Sequence, residues 1–321
     1  MDKTTRLNAL AKEFLSEYLV CICIILLAIV TIIVQPRFLS WDNLVNIIRQ
    51  FGPLSLVSLG MTFVILAGYL DLSISGTFSL VTVVTVHLIT PFGQILALVA
   101  GLLLGIATGA LSGTVIRLAG ANRRSEALFV SFGLSLAYGA LALMISGGKT
   151  QRLPAGLKLY EAIGSGGIGI ISYTFILFLI CMTLLYILQS KTYIGRTIML
   201  TGGNPDASRL AGLPVNVVPI LVYSLSGLMT ALGSIVLFSR VTTASPTIGV
   251  GYDTNAITAV LIGGTSLLGG KGSVLRTAIG VVLITLLSNC MNLLGVTSYM
   301  QNVVKGAILI FVIWLDTRKS M

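Results

Sequence analysis

Apolar runs of about twenty residues recur along almost the whole 321-residue chain, and they constrain its fold more than any other feature. A helix needs roughly 20 apolar residues to cross about 30 Å of hydrocarbon. The composition agrees, with 55% hydrophobic and only 9% charged residues, a balance far from that of soluble domains. The sequence therefore predicts an all-α, polytopic membrane helix bundle that forms a single transmembrane domain over residues 1–321.

Breaks between the apolar runs divide the chain into about ten predicted spans. These are 18–34, 44–66, 72–90, 94–118, 125–146, 168–189, 214–239, 253–269, 273–292 and 300–315. No segment between them is long enough to fold as a soluble domain. An energy source or a soluble binding module is therefore expected to come from another chain.

The distribution of Lys and Arg predicts the orientation, because basic loops are retained in the cytoplasm. With both termini cytoplasmic, the inner segments hold thirteen of the twenty basic residues, the outer segments hold six, and Lys305 lies within the last span. The inner thirteen are Lys3, Arg6, Lys12, Arg117, Arg123, Arg124, Lys191, Arg196, Arg209, Lys271, Arg276, Arg318 and Lys319. The net charge of +10 then reflects topology and contact with anionic lipid, and it does not indicate a nucleic-acid partner.

A weak internal repeat relates residues 64–78 to residues 260–274. Both segments end a span in a glycine-rich interruption and restart at once, so the helices are predicted to be broken near 68–76 and 263–272. Broken helices indicate the translocation pathway of a transporter, because unwound backbone at membrane depth needs protein or a water-filled cavity around it. An alternative is that the glycines only allow close helix packing. The predicted pathway residues are Gly68, Asp71, Ser73, Gly76, Gly263, Gly264, Gly269 and Gly270.

The motifs that would indicate an enzyme are incomplete. "GSGGIG" at 164–169 leads into a membrane span and follows no strand, and "GGKGS" at 269–273 lacks the Ser or Thr that holds magnesium in a phosphate loop. His87 is the only histidine, and the four cysteines all lie in apolar runs. We therefore expect no catalytic site, no metal site and no bound nucleotide in this chain.

Few ionisable residues lie within the predicted spans, and each is costly there unless it is paired or hydrated. His87 and Lys305 are expected to be fairly deep, whereas Asp253 lies at the start of a span. Asp71 lies in the first interruption, within "GYLDLSISG". Its carboxylate is predicted to cap the helix that restarts at Ser73.

The stretch "TGGNPDASRLAGLP" at 201–214 predicts a short helix on the cytoplasmic side. Pro205 suits the first turn, Asp206 suits the positive end of the helix dipole, and Gly212 stops the helix. Ala207, Leu210 and Ala211 fall on one face at helical spacing. This narrow apolar face indicates a protein partner, and the alternative is a helix that lies on the membrane surface.

The same stretch carries a family resemblance. "DASRLAG" at 206–212 resembles the E-A-A-x-x-x-G loop of ABC-importer permeases, with Asp206 in the place of the glutamate. Further segments are similar to ribose-type permeases of bacterial sugar importers. These segments are 195–216, 222–236, 249–274 and 293–310, and "GYLDLSISG" at 68–76 is a more distant match.

The resemblance implies a permease of the bacterial inner membrane that works as a homodimer or with a sister permease. Its expected partners are a cytoplasmic ABC ATPase, which binds ATP and magnesium, and an extracytoplasmic sugar-binding protein. Residues 204–212 would form the coupling helix that contacts the ATPase. Its members are Asn204, Pro205, Asp206, Ala207, Ser208, Arg209, Leu210, Ala211 and Gly212.

Two other classes remain open on sequence grounds. A proton-coupled secondary carrier could use Asp71, His87 and Glu126 as its ionisable groups. A membrane enzyme would need a nucleophile and a base that the sequence does not display. The sequence also leaves the sugar open, with pentoses, hexoses and related sugars all compatible.

Overall fold

The computed structural model describes residues 22–120, 124–169 and 171–319, and its secondary structure is helical apart from very short strands. The helices are α1 Ile22–Val34, α2 Trp41–Leu66, α3 Ile74–Leu118, α4 Arg124–Ser146, α5 Lys158–Ser165, α6 Tyr173–Lys191, α7 Tyr193–Gly203, α8 Pro205–Leu210, α9 Val218–Val241, α10 Tyr252–Ile262, α11 Val274–Leu293 and α12 Ser298–Lys319. A 3-10 helix covers Pro36–Leu39. Strand β1 (Gln151–Arg152) pairs with β4 (Thr243–Ala244), and β2 (Gly167–Ile168) pairs with β3 (Ile171–Ser172).

Seven of the described helices are long and apolar enough to cross a membrane: α2, α3, α4, α6, α9, α11 and α12. The predicted multi-pass helix bundle is therefore confirmed. Helix α3 has 45 residues and bends at Gly93, whose φ of 79° is not helical. Its two arms correspond to the predicted spans 72–90 and 94–118. The count of ten spans and the cytoplasmic termini stay predictions, and residues 18–21 of the first span lie outside the described residues.

The prediction of a span over 253–269 is wrong at its end. Helix α10 stops at Ile262 and has 11 residues, which is about 16 Å of helix and too short to cross the hydrocarbon. The apolar residues Leu267 and Leu268 extended the predicted span, but they lie in the loop after the helix. The second interruption covers 263–273, in agreement with the break predicted near 263–272.

Helix α2 lies at the centre of the bundle and packs against α6, α9, α10 and α11. Two polar contacts hold it to α11. Asn43 and Asn289 exchange side-chain amide hydrogen bonds of 3.1 and 2.9 Å, and the hydroxyls of Thr62 and Thr277 lie 2.8 Å apart. Because these pairs lie near opposite ends of α2, the relative position of the two helices is fixed along their length.

Glycines spaced four residues apart allow α3 and α9 to pack with their backbones in contact. A methyl group at Gly105 would lie 2.6 Å from the carbonyl oxygen of Gly227, and one at Gly109 would overlap the carbonyl of Tyr223. At Gly113 it would lie 2.6 Å from the α carbon of Ile220. Small residues at this spacing are a common basis of close helix packing in membranes.

Polar contacts gather at the end of the bundle where α2 begins and α9 ends. Arg49 donates to the backbone oxygen of Ser165 at 2.9 Å, and Arg240 donates to Asn46 at 2.6 Å. The His87 side chain is exposed and lies 3.2 Å from the amide of Gln151 in β1, and its depth in the membrane stays a prediction. His87 therefore lies next to the connection between α4 and α5.

We predict that Gly109→Ala lowers the stability of the bundle, because the added methyl group has to displace backbone of α9. Overpacking of this kind costs about 1–3 kcal/mol. Gly139→Ala in α4 is the matched control, since nothing lies within 4 Å of its added methyl group and alanine favours the helix by about 1 kcal/mol. Thermal unfolding of the purified proteins in detergent measures both. Equal melting temperatures for the two variants would contradict the packing account.

Candidate functional site

Both predicted interruptions begin with the same helix end, which supports the weak sequence repeat. Gly68 and Gly264 occupy equivalent positions after α2 and α10, with φ of 87° and 83°. In each case the next residue donates its N–H back across the turn. The N–H of Tyr69 donates to the carbonyl oxygen of Val64 at 3.0 Å, and the N–H of Thr265 donates to that of Val260 at 3.3 Å. This is the Schellman motif, in which glycine adopts the left-handed conformation at no steric cost.

The first interruption, residues 67–73, is organised around the carboxylate of Asp71. Its Oδ1 accepts the backbone N–H of Ser73 at 2.9 Å and the Ser73 hydroxyl at 2.6 Å. Its Oδ2 accepts the hydroxyl of Ser226 in α9 at 2.8 Å. The Asp71 side chain is 2% exposed. The carboxylate thus binds Ser73, the N-cap residue of α3, in place of the predicted bond to the first turn of the helix, and it also attaches the interruption to α9.

Hydroxyl groups of α4 and α9 supply the other partners of this unwound segment. Tyr223 donates to the carbonyl oxygen of Leu70 at 2.7 Å. Ser131 accepts the N–H of Leu72 at 3.2 Å, and Ser135 accepts the N–H of Gly76, in the first turn of α3, at 3.2 Å. Backbone at membrane depth is tolerated when neighbouring helices provide such bonds. The first interruption is therefore a polar site in which side chains of neighbouring helices bond the backbone and the Asp71 carboxylate.

A chain of hydroxyls continues from this site into the bundle. The Ser73 hydroxyl lies 3.4 Å from that of Ser112 in the second arm of α3, and Ser112 lies 3.1 Å from the hydroxyl of Tyr138 in α4. Tyr138 donates to the carbonyl oxygen of Thr108 at 3.1 Å. The Asp71 carboxylate thus belongs to a buried network that joins α3, α4 and α9.

The second interruption, residues 263–273, is held by a glutamine that the sequence did not single out. Gln189, near the end of α6, is 6% exposed. Its amide nitrogen donates to the carbonyl oxygen of Gly272 at 2.9 Å, and its amide oxygen accepts the N–H of Val274 at 3.0 Å. A third bond joins the N–H of Leu267 to the carboxylate of Asp316 in α12 at 2.9 Å.

The two interruptions meet at one end of the bundle, and the end of α7 meets them there. The N–H of Gly270 donates to the carbonyl oxygen of Leu66 at 2.9 Å. A methyl group at Gly269 would lie 2.8 Å from the carbonyl oxygen of Gly202 and 2.9 Å from the α carbon of Gly68. Three backbone segments therefore touch with no side chain between them.

Helix α8 follows directly after this contact and forms within the predicted limits 204–212. The side chain of Asn204 accepts the N–H of Ala207 at 3.0 Å, which is an N-cap bond, and Pro205 occupies the first turn. At the other end, the N–H of Leu213 donates to the carbonyl oxygen of Ser208 at 3.0 Å across Gly212, whose φ is 75°. Asn204 and Pro205 thus determine where α8 begins, and Gly212 determines where it ends.

The surface of α8 is unusual for its exposed apolar side chain. Leu210 is 92% exposed, and its predicted face partners Ala207 and Ala211 are also exposed. Asp206 and Arg209 lie 3.9 Å apart on the same short helix. Ser208 is buried and faces the rest of the protein. Helix α8 thus exposes a leucine flanked by a carboxylate and a guanidinium.

The structure brings three of the six predicted pathway glycines together, next to the end of α7 that leads into α8. Gly68, Gly269 and Gly270 lie at the contact between the interruptions, whereas Gly263 and Gly264 lie beside Arg276 in α11. The sequence analysis missed the partners Gln189, Ser226 and Tyr223. No local pattern marks them, because each acts on backbone or a carboxylate that is 83 to 155 residues away in the sequence.

Comparisons with known proteins agree on one class. The family model described as "Branched-chain amino acid transport system / permease component" matches residues 43–313. The chain is 33% identical to the ribose import permease protein RbsC of Escherichia coli over 313 residues, which is 96% of each chain. It is 35% identical to RbsC of Bacillus subtilis, with 92% of this chain and 91% of the relative covered.

A relative with a different sugar in its name is similar over the same length. The L-arabinose transport system permease protein AraH of Escherichia coli is 31% identical over 312 residues, which is 95% of this chain and 91% of the relative. No solved structure matches the chain. The likeness thus covers nearly the whole described bundle, including the two interruptions and α8. The chain belongs to the family of branched-chain amino acid transport system permease components, in which it is similar to the ribose-type permeases of bacterial ABC sugar importers.

Proposed function

We propose that this chain is the membrane subunit of an ATP-driven importer for a simple sugar. Helix α8 contacts a separate cytoplasmic ATPase, and the interrupted helices line the path that opens alternately to each side. The ATPase binds ATP and magnesium. The observation that carries the proposal is the projecting helix at 204–212 in a chain whose relatives are named as ribose and arabinose permeases.

The exposed face of α8 supports a docking role. A leucine that is 92% exposed has no packing partner within the described chain and gains free energy when a partner buries it. Burying a leucine side chain is worth about 1.5–3 kcal/mol. Asp206 and Arg209 flank Leu210 and can add specificity through their charges. A helix of six residues cannot bury much surface, so the contact suits a partner that binds and moves during each cycle.

The further partners follow from the resemblance. Two permease copies, or this chain and a sister permease, form the dimer, and an extracytoplasmic sugar-binding protein delivers the sugar. The complex lies in the bacterial inner membrane with both permease termini in the cytoplasm. Pentoses and hexoses are both compatible, since relatives named for ribose and for L-arabinose are almost equally similar to this chain.

The geometry favours this function over a proton-coupled carrier. Such a carrier needs ionisable groups that can pass a proton along a path. Asp71 is buried among hydroxyls, whereas His87 and Glu126 have exposed side chains. About 20 Å of helix separates the start of α3, just after Asp71, from His87. The three groups therefore do not form a relay.

We predict that Leu210→Asp prevents the ATPase from binding, because it replaces the exposed apolar anchor with a charge. Affinity is expected to fall at least about tenfold, as for an interface residue worth more than 1.4 kcal/mol. Leu118→Asp is the control, since Leu118 is 79% exposed at the end of α3 and lies outside α8. Co-purification of the tagged permease with its ATPase at matched membrane levels measures both. Normal association of the Leu210 variant would contradict the assignment of α8.

We predict that Asp71→Ala reduces sugar uptake more than Asp253→Ala does. The first change leaves the buried donors on Ser73 and Ser226 without an acceptor, and each such group costs about 1–3 kcal/mol. Asp253 is only partly buried at the start of α10. Initial uptake rates of labelled ribose or L-arabinose, taken at matched expression, compare the two. A larger loss in the Asp253 variant would overturn this ranking.

A further inference from the structure

The contact between the two interruptions and α7 consists of backbone alone, and we name it the glycine junction: Leu66–Gly68, Gly202–Gly203 and Gly269–Gly270. A methyl group at Gly270 would lie 2.7 Å from the α carbon of Gly203, and one at Gly202 would overlap the carbonyl of Leu66. Close-packed protein transmits displacement because it has little free volume. Here no rotatable side chain lies between the segments to absorb a shift, so they have to move together.

Helix α8 is attached directly to this junction. Gly203 is the last residue of α7, and Asn204 is both the C-cap of α7 and the N-cap of α8. The N–H of Asn204 donates to the carbonyl oxygen of Leu200 at 3.0 Å, and its side chain accepts from Ala207. A displacement of α8 therefore reaches Gly202–Gly203 through one capped residue.

Gln189 provides a second attachment to the same interruption, from the other end of α7. Helix α6 ends at Lys191, and α7 starts two residues later after Thr192, whose hydroxyl accepts the N–H of Gly195 at 3.1 Å. Gln189 binds the backbone on both sides of Ser273, where the second interruption ends and α11 begins. The α6–α7 corner and the glycine junction thus hold residues 263–273 at two points.

We propose that Gln189 is a positioning residue that couples α8 to the translocation path. When the ATPase displaces α8, α7 moves with it, and the glycine junction and Gln189 carry the second interruption along. Residues 263–273 in turn pull on Leu66 through Gly270, so both interruptions respond to the same movement. This inference rests on the proposed function, because it assumes that an ATPase acts on α8.

The test compares two buried glutamines in the assembled transporter. Gln189→Leu removes both bonds to the second interruption. Gln301→Leu is the matched control, since Gln301 is 7% exposed and also makes two hydrogen bonds, to Asn292 and Val296. Each variant is reconstituted in proteoliposomes with its ATPase and binding protein. The readouts are ATPase affinity and the number of sugar molecules imported per ATP hydrolysed.

We expect the Gln189 variant to bind the ATPase with unchanged affinity but to import at least fivefold less sugar per ATP. A merely structural defect lowers the amount of active complex and leaves that ratio unchanged, which is the result expected for Gln301→Leu. An unchanged ratio in the Gln189 variant, or an equal fall in both, would overturn the inference. Failure of the unaltered permease to bind any ATPase would instead refute the proposed function.

A second pair of variants covers the case in which Gln189→Leu does not fold. Gly270→Ala adds a methyl group against Gly203, whereas Gly295→Ala adds one in open space at a nearly equal φ, 73° against 71°. The two changes therefore carry the same backbone strain and differ in the junction contact. We expect only the Gly270 variant to lower the sugar-to-ATP ratio, and equal ratios in this pair would overturn the inference.

Discussion

In a membrane protein every buried backbone N–H and C=O group needs a hydrogen-bond partner within the protein, and this requirement shapes the structure. Helices α2 and α10 stop where other helices bury them, and a buried N–H or C=O group left without a partner costs about 2–7 kcal/mol. Asp71, Ser131 and Tyr223 bond the first interruption, and Gln189 bonds the second. Each partner comes from a different helix or from the interruption itself. The polar bonds that make unwound backbone tolerable thus also tie the helices of the bundle to one another.

Close backbone contacts at glycines are the second feature that holds the bundle together. Along α3, glycines bring the helix against α9 and leave no room for side chains. At the glycine junction, the same kind of contact joins the two interruptions to the end of α7. Polar bonds therefore specify which segments meet, and glycine contacts determine how closely they meet. Together they connect an exposed helix on one end of the protein with the interior of the bundle.

Local sequence signals predicted those parts of the fold that depend on a few adjacent residues. The limits of α8 followed from Asn204, Pro205 and Gly212, and the interruptions followed from the glycines shared by the two repeats. The predicted span 253–269 ran past the end of α10 because the apolar pair Leu267 and Leu268 extends the hydrophobic run beyond the glycine break. Gln189 and Ser226 were missed because their partners lie far away in the sequence, and a single sequence does not reveal such pairings.

The proposed function has this chain receive mechanical work through α8 from a separate ATPase. Sugar accumulation in proteoliposomes tests it most directly, with the chain reconstituted alone and then with its ATPase, its binding protein and ATP. We expect accumulation against a gradient only in the complete, ATP-supplied system. Accumulation by the isolated chain, driven by a proton gradient or by any other means, would contradict the account.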